Sequence, residues 1–308
     1  MDKKGIIKTF HLDPDYFFLH KKAIRHTGFG MDHDPNLLDN GFGLYSESEL
    51  HEELGPLKSD FYRIALCLEG SIEVEIGLES FVHESQTLHF NIPDRLFGMK
   101  NHSSNFKSYY IFFTADFLEE LLGEIKLQAD YPFFNYLNPP FFKLDNSGFT
   151  RIKDIFLKIS REINLALSDR SRAVKLLLNY LLIEAKRSYL GLGLDKEKGL
   201  DKNSHLLIRY KKLVAKHFIS IRKVKDYAEK MAISTDHHQK IIKQETGKSP
   251  GTFIDEMLIM EIKALLRYSE LTITEIANQL EFTDASHLAK FFKKYQSVSP
   301  TEYRKKFH

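Results

Sequence analysis

Apolar positions in the last hundred residues recur with the period of a helix. Ile273, Ile276, Ala277 and Leu280 fall at i, i+3, i+4 and i+7, one apolar stripe. After the break Glu281-Phe282-Thr283, Asp284 is placed to cap a second helix. In it Leu288, Phe291 and Phe292 face inward and Lys290, Lys293 and Lys294 outward. Ser299-Pro300 starts a third helix, with Pro at the tolerated first position. Two short helices with a tight turn and a basic second helix predict a helix-turn-helix, whose second helix enters the DNA major groove. Plain packing of a helical hairpin gives the same stripe. Similar spacing predicts helices over 205–219, 222–231, 234–245, 250–269, 273–280, 284–295 and 300–307.

The pattern differs upstream. Ser71 to Ile76 alternates polar and apolar strictly, the period of a half-buried strand. Phe61–Leu68, Ser80–His83, Thr87–Ile92 and Lys107–Thr114 are further short strands, punctuated by Glu69-Gly70, Gly77 and Pro93-Asp94. Their ten-residue spacing predicts an antiparallel sandwich or small barrel. Residues 1–60 are harder to read: Ile6-Ile7 and Tyr16–Leu19 fit short strands, and 31–40 a polar loop. The stretch 117–122 fits one or two helical turns, and 131–142, rich in Pro and aromatics, a packed loop. Helices follow over 149–165 and 172–189. The second has a wide apolar face (Val174, Leu177, Leu178, Leu181, Leu182, Ala185), suited to core or to a dimer interface. Residues 191–204, Gly-rich, charged and aperiodic, read as a linker.

The final helical stretch has an earlier twin. Over Val224 to Ile254, Val224 matches Ile273, Asp226 matches Glu275, Ala228 matches Ala277 and Met231 matches Leu280. After a one-residue step, Ser234 matches Asp284, His237 matches His287, Lys240 matches Lys290, Lys243 matches Lys293, and Ser249-Pro250 matches Ser299-Pro300. A duplicated pattern predicts two copies of one unit. The helix between them, about 20 residues at ~1.5 Å each, spans roughly 30 Å. That suits successive major-groove faces about 34 Å apart.

Charge sharpens this division. Net charge is +2 over 308 residues, yet Leu206–His308 holds 19 Lys and Arg against 12 Asp and Glu, a net of +7. The remainder holds 25 against 30, a net of −5. A basic module on an acidic partner suits polyanion binding. With 43% hydrophobic residues, including 25 Phe and 14 Tyr, the chain can bury two substantial cores. Its one cysteine, Cys67, excludes an internal disulfide and an all-cysteine zinc site. No apolar run reaches the ~20 residues of a membrane span, and the N-terminus lacks the apolar core of a signal peptide. A soluble protein of a reducing cytoplasm is expected.

The paired units, with EIANQLEF followed by Asp284, Ser286, Phe291-Phe292-Lys293-Lys294, Pro300 and Tyr303-Arg304, resemble the AraC/XylS family of bacterial transcription regulators. The resemblance covers about Leu206 to Phe307. Three positions depart from it: Glu281 and Ser297 stand where the family has Gly, and Met257 where its linker helix begins with Arg. A non-Gly residue at positive φ costs about 1 kcal/mol. The resemblance implies an α+β chain. A cupin-like antiparallel β-barrel (about 1–125) and helices (about 149–190) make an effector-binding and dimerisation domain over 1–190. A linker over 191–204 and a double helix-turn-helix domain over 205–308 follow. It implies double-stranded DNA as partner, dimerisation through about 171–189 and activation of transcription at the nucleoid. It leaves room for RNA polymerase and for a small effector that the sequence does not identify.

On the free face of the first unit lie Ser234, Thr235, Asp236, Gln239, Lys240 and Lys243. The resemblance makes Asp236, Gln239 and Lys240 base readers. Gln pairs with adenine N6/N7 and Lys with guanine O6/N7. Asp236 either accepts from cytosine N4 or serves the helix dipole. The second unit presents Ala285, Ser286, Ala289 and Lys290, a small surface fitted to phosphate and thymine-methyl contacts. Lys243, Lys293, Lys294 and Arg304 are candidate phosphate neutralisers or a solvated helix face. His237 and His287 are candidate packing residues or phosphate donors. The rival reading is a metal-dependent cupin enzyme. It needs a His-x-His pair with Glu and another His; His83, His89 and the isolated His102 lack that spacing, and His33 sits in a polar loop. No nucleophile elbow, phosphate loop or paired-carboxylate motif occurs, so no catalytic, metal or cofactor residue is assigned. Ligand-independent regulation and non-specific DNA packaging are further alternatives; the large acidic N-terminal part weighs against packaging.

Overall fold

The alternating segment Ser71 to Ile76 forms a strand whose burial alternates with its sequence, Ile72, Val74 and Ile76 inward. The structure, a computed structural model, describes residues 9–12, 41–48, 54–77, 79–122, 126–135, 138–165, 167–195 and 202–306. The segments 6–7, 16–19 and 31–40 therefore lie outside the described residues. Two units divide the chain, Thr9–Lys198 and a second whose described residues begin at 202.

Among the described residues ten strands build the first unit: β1 (Thr9–Phe10), β2 (Phe42–Ser48), β3 (Leu54–Ser59), β4 (Tyr62–Glu69), β5 (Ser71–Ile76), β6 (Glu79–Glu84), β7 (Thr87–Asn91), β8 (Phe97–Lys100), β9 (Lys107–Phe113) and β10 (Phe141–Lys143). They form two five-stranded sheets, β1-β3-β8-β5-β6 and β10-β7-β4-β9-β2. Pairing is antiparallel except between β1 and β3. The antiparallel β-domain expected from the sequence is present; among the described residues its sheets are not joined into one closed ring. The segment 131–142, expected as a packed loop, ends in the strand β10, which pairs with the distant β7, Phe141 against His89 and Lys143 against Thr87. Gly55, at φ +93°, lets β3 approach β8; a Cβ there would lie 2.4 Å from the Phe97 carbonyl oxygen.

The second sheet is covered on both faces. Tyr62, Ile64 and Leu66 of β4 join one core with Leu88, Phe90, Ile111 and Phe113. Helices α3 (Asn146–Leu165) and α4 (Arg170–Gly191) complete that core with Ile152, Phe156, Ile159, Leu178, Leu181 and Leu182. Arg63, Ala65 and Cys67 alternate to the other face, toward the first sheet. This is why β4 and β9 are buried over nearly their whole length instead of alternating. Upstream of α3 lie α1 (Ala115–Leu122) and the short α2 (Leu127–Asp130). Glu184 of α4, almost fully buried, receives Arg151 of α3 at 3.2 Å and Arg187.

The Leu177/Leu181 face, expected from the sequence as the dimer contact, is turned inward: Leu181 is 0% exposed and Leu177 packs on the same core. The apolar side chains α4 leaves to solvent are Leu176 (51% exposed), Tyr180 (45%) and Leu190 (43%), with Ile183 half-buried between them. The richest leucine face serves the sheet, where the larger apolar surface waits.

The second unit is helical: α5 (Lys202–His217), α6 (Val224–Lys230), α7 (Thr235–Thr246), α8 (Pro250–Tyr268), α9 (Ile273–Gln279), α10 (Ala285–Gln296) and α11 (Pro300–Arg304). The repeat keeps its helix lengths: α6 and α9 have 7 residues each, α7 and α10 have 12.

Candidate nucleic-acid interface

Apart from α6, which follows Lys223 without a side-chain cap, the helices of the repeat start at a residue whose side chain caps them. Ser234 accepts from the His237 backbone N–H at 3.2 Å and Asp284 from that of His287 at 2.7 Å. Thr272 and Ser299 form reciprocal capping boxes with Glu275 and Glu302. Those hydrogen bonds hold both carboxyls below the usual range. The inter-helix turns need positive φ at equivalent positions, Ala232 (56°) and Glu281 (54°). The recognition helices α7 and α10 end at Gly247 (72°) and Ser297 (61°). Glu281 and Ser297 thus occupy left-handed backbone without glycine.

The two cores differ. The second is mainly aliphatic, with Ile262, Leu266, Ile276, Leu280 and Leu288 around Phe292. The first is built on Tyr210, whose ring meets Tyr227, His238 and Phe253 at 4.4–6.0 Å between centroids. Its hydroxyl donates to the Pro250 carbonyl at 2.6 Å. The buried histidine of α7 is therefore His238, and burial pulls its pKa down. His237, expected as a candidate packing residue, is exposed, because 238, 241 and 242 form the inward stripe once Ser234 sets the start. His287 is exposed as well, its ring against Phe282 at 5.4 Å.

Arginines close the helix C-termini. Arg209 donates to the carbonyls of Lys230 (2.9 Å) and Met231 (3.2 Å) at the end of α6. Arg222 donates to Leu280 at the equivalent end of α9, lies over Phe282, and so ties the segment before α6 to the second helix-turn-helix. Tyr295 of α10 donates to Asp255 of α8. Arg304, a candidate phosphate neutraliser by sequence, donates instead to Leu266 (3.3 Å) and Leu271 (2.6 Å). Its guanidinium answers carbonyls left open where α8 ends, so phosphate contact is not its position in this fold.

The remaining candidates stand on open faces. Ser234, Asp236, Gln239, Lys240 and Lys243 are exposed and Thr235 half-buried, with 236, 239, 240 and 243 on one side of α7. On α10, Ser286, Lys290, Lys293 and Lys294 are exposed, and Ala285 and Ala289 are half-buried. Small residues there let the helix backbone come close to a surface, and three lysines surround them. The Lys294 ammonium lies 5.0 Å from the Tyr295 ring centre.

In the first unit of the chain, His83 of β6 and His89 of β7 face one another across the two sheets, ring centroids 4.4 Å apart. His102, the third histidine of the rival metal reading, is exposed on a loop and does not line the cavity they share. Among the described residues no group of three His, Cys, Asp or Glu is placed to hold a metal ion. Arg63 joins the histidines there, its guanidinium 3.6 Å from the Phe97 centroid and 4.8 Å from that of Phe112. Sequence reasoning passed over Arg63; the signal was a charge inside the apolar run Phe61–Leu68. Burial drives the His83 pKa down to about 3. His89 is held well below its usual value by burial first, then by His83 and Arg63.

Tandem helix-turn-helix units with outward lysines define a DNA-binding class of domain. A helix-turn-helix domain family model matches residues 227–306. The HTH-type transcriptional activator RhaS of Escherichia coli O139:H28 is 31% identical over 77 residues, 25% of this chain and 28% of that one. RhaS of E. coli K12 (DH10B) is 32% identical over 74 residues, 24% and 26% of the two chains. The chain thus spans little more than a quarter of these relatives. Among solved structures, the C-terminal domain of AraT, a response regulator from Geobacillus stearothermophilus, is 28% identical with a TM-score of 0.32, covering 34% of this chain and 88% of that one. ToxT from Vibrio cholerae O395 is 15% identical with a TM-score of 0.42, covering 86% and 97%. Residues 227–306 are thus a helix-turn-helix domain similar to that of these transcription regulators.

Proposed function

We propose that the chain is a sequence-specific DNA-binding transcription regulator, acting as an activator from the nucleoid. The observation that carries this is the repeat: two helix-turn-helix units of identical helix lengths, each turning a capped, lysine-bearing helix outward. In this reading α7 reads bases through Gln239 and Lys240, with Ser234, Thr235, Asp236 and Lys243 beside them. The second unit anchors on the backbone through Ser286, Lys290, Lys293 and Lys294, with Ala285 close to the groove. The unit of residues 9–198 is its effector-binding and dimerisation module, RNA polymerase its partner at the promoter, and binding its whole role, without catalysis. Dimerisation runs through Leu176, Tyr180, Ile183 and Leu190. Their 4-3-7 spacing, filled by Arg187, is that of a coiled-coil seam.

The test is binding of the full chain to an operator found by genome-wide footprinting. Gln239→Ala and Lys240→Ala should each weaken it by ~1–3 kcal/mol for every base edge the side chain reads. Equal weakening on random DNA would remove base reading from α7, and absence of any preferred site would remove the regulator reading altogether.

A further inference from the structure

The two helix-turn-helix units differ at one buried position of their recognition helices. His238 stands four residues after the cap Ser234, and Leu288 four residues after the cap Asp284, so the two are equivalent in the repeat. Both side chains are 0% exposed. Leu288 is apolar and lies in one core with Ile276, Leu280 and Phe292. His238 is polar, and neither of its ring nitrogens has a hydrogen-bond partner among the described residues. A neutral imidazole brings one N–H and one lone pair, and both go unanswered here. A charged ring in the same seat would be far worse placed.

Helices α5, α6 and α8 pack on α7. From α5 comes Tyr210, its ring 4.4 Å from that of His238 and its hydroxyl committed to the Pro250 carbonyl. From α6 comes Tyr227, which meets Tyr210 at 5.5 Å and donates its hydroxyl to the Ile221 carbonyl. From α8 come Phe253 and Asp255. The Asp255 carboxylate acts on Tyr210 but accepts from Tyr295. The face of Tyr210 favours an imidazolium, yet no carboxylate pairs with the ring, and loss of hydration outweighs the aromatic contact. Burial therefore lowers the His238 pKa. Late in α5, His217 also has a lowered pKa, through burial and then through Lys230 and Lys216.

To take up a proton the ring must leave its seat, and the helix leaves with it, since His238, Ile241 and Ile242 are the inward stripe of α7. We propose that His238 is a positioning residue that makes the first helix-turn-helix acid-labile beside an acid-stable second one, so that mild acid loosens the base-reading helix α7, and with it operator preference, while the anchoring helix α10 stays seated. The roles given to the two helices rest on the proposed function; the difference in lability does not.

The pKa of His238 is about 6.5 in an open helix and lower in the seated one. The seated form is therefore fully favoured above that value and loses ground as pH falls below it. From pH 7.5 to 5.5 the ratio of seated to open α7 should fall severalfold, and at most about tenfold.

The experiment is hydrogen exchange by mass spectrometry on the full-length chain at both pH values, each rate divided by that of an unstructured peptide at the same pH. Peptides spanning 235–246 should lose protection by that factor, while those spanning 285–296 keep theirs. His238→Leu, which installs the residue of the second unit and leaves His217 in place, should abolish the loss. Leu288→His should transfer it to 285–296, and serves alone if circular dichroism shows His238→Leu unfolded. Equal loss in both helices of the native chain overturns the proposal. So does protection of 235–246 that is level with pH, or a loss that persists in folded His238→Leu. Operator affinity of His238→Leu relative to the native chain should rise between pH 7.5 and 5.5, because only the native helix loses seated population; a ratio that stays level or falls also overturns the proposal. The exchange comparison needs no DNA, so its failure removes this inference alone. Absence of any preferred DNA site at pH 7.5 removes the regulator reading and leaves the exchange result to decide the lability of α7.

Discussion

Gly247 and Ser297 end the two recognition helices at equivalent positions, both left-handed, at φ 72° and 61°. Exchanging their residues isolates one backbone effect. An L-residue pays roughly 1–2 kcal/mol for left-handed backbone, whereas glycine there forfeits about 0.5–1 kcal/mol through the greater freedom of its unfolded chain. Ser297→Gly should therefore stabilise the end of α10 by about 0.5–1 kcal/mol. Gly247→Ser should destabilise the end of α7 by a similar amount. Side-chain clashes do not cloud the second change, because a Cβ at Gly247 meets nothing within 4 Å. Since the cap hydrogen bonds come from backbone N–H groups, Gly247 to Lys243 and Ser297 to Lys293, neither substitution removes one. Native-state hydrogen exchange read by mass spectrometry on peptides spanning 235–246 and 285–296 resolves the two helices within the intact chain. The Ser297→Gly helix should exchange about two- to fivefold more slowly and the Gly247→Ser helix faster by a similar factor. Shifts of the same sign in both, or a Ser297→Gly helix that exchanges faster, would refute the strain assignment.

Other expectations follow from named interactions. Leu176→Lys with Tyr180→Glu should give folded monomers by light scattering, whereas Leu181→Lys, placed in the sheet-facing core, should abolish folding by circular dichroism; a dimer that survives the first pair moves the interface elsewhere. Arg304→Ala should lower stability by about 1–3 kcal/mol in urea unfolding, leaving the salt slope of DNA binding unchanged, while Lys293→Ala should reduce that slope by ~0.9 if it meets a phosphate. His83, His89 and His238 have lowered folded-state pKa values. The unfolded chain therefore takes up protons first, and stability should fall as pH drops below about 6.5. For His83 that loss continues toward its folded value of about 3; a melting temperature flat from pH 7 to 5 would contradict the burial of these rings.

The helical half was legible because its information is local. Caps, period and Ser-Pro starts lie within a few residues of what they specify, and every element of the repeat appears within three residues of its expected ends. The β half was legible where one face is wet, as in β5. It was obscure where both faces are covered, or where a strand such as β8 or β10 exists by virtue of a distant partner. The groove faces of α7 and α10 follow from helical spacing alone. The roles of Arg304, His238 and Leu181 did not, since each depends on what lies opposite it in space: an open carbonyl, a tyrosine ring, a sheet. Arg63 was visible as a misplaced charge, and its meaning required the strands that bring His83 and His89 to it.

The Arg222 clamp has a consequence for the DNA rather than the protein. With the segment before α6 fastened to the end of α9, and Tyr295 fastened to α8, the two groove-entering helices keep a fixed angular phase. One added base pair between their contact sites turns the far site by about 34–36° around the duplex axis. A hinged reader would follow that turn; this one acts as a gauge with a single setting. Under the proposed function, operators with one inserted pair should therefore be rejected by the native chain and partly readmitted by Arg222→Ala, which would make spacing a part of recognition beside base identity.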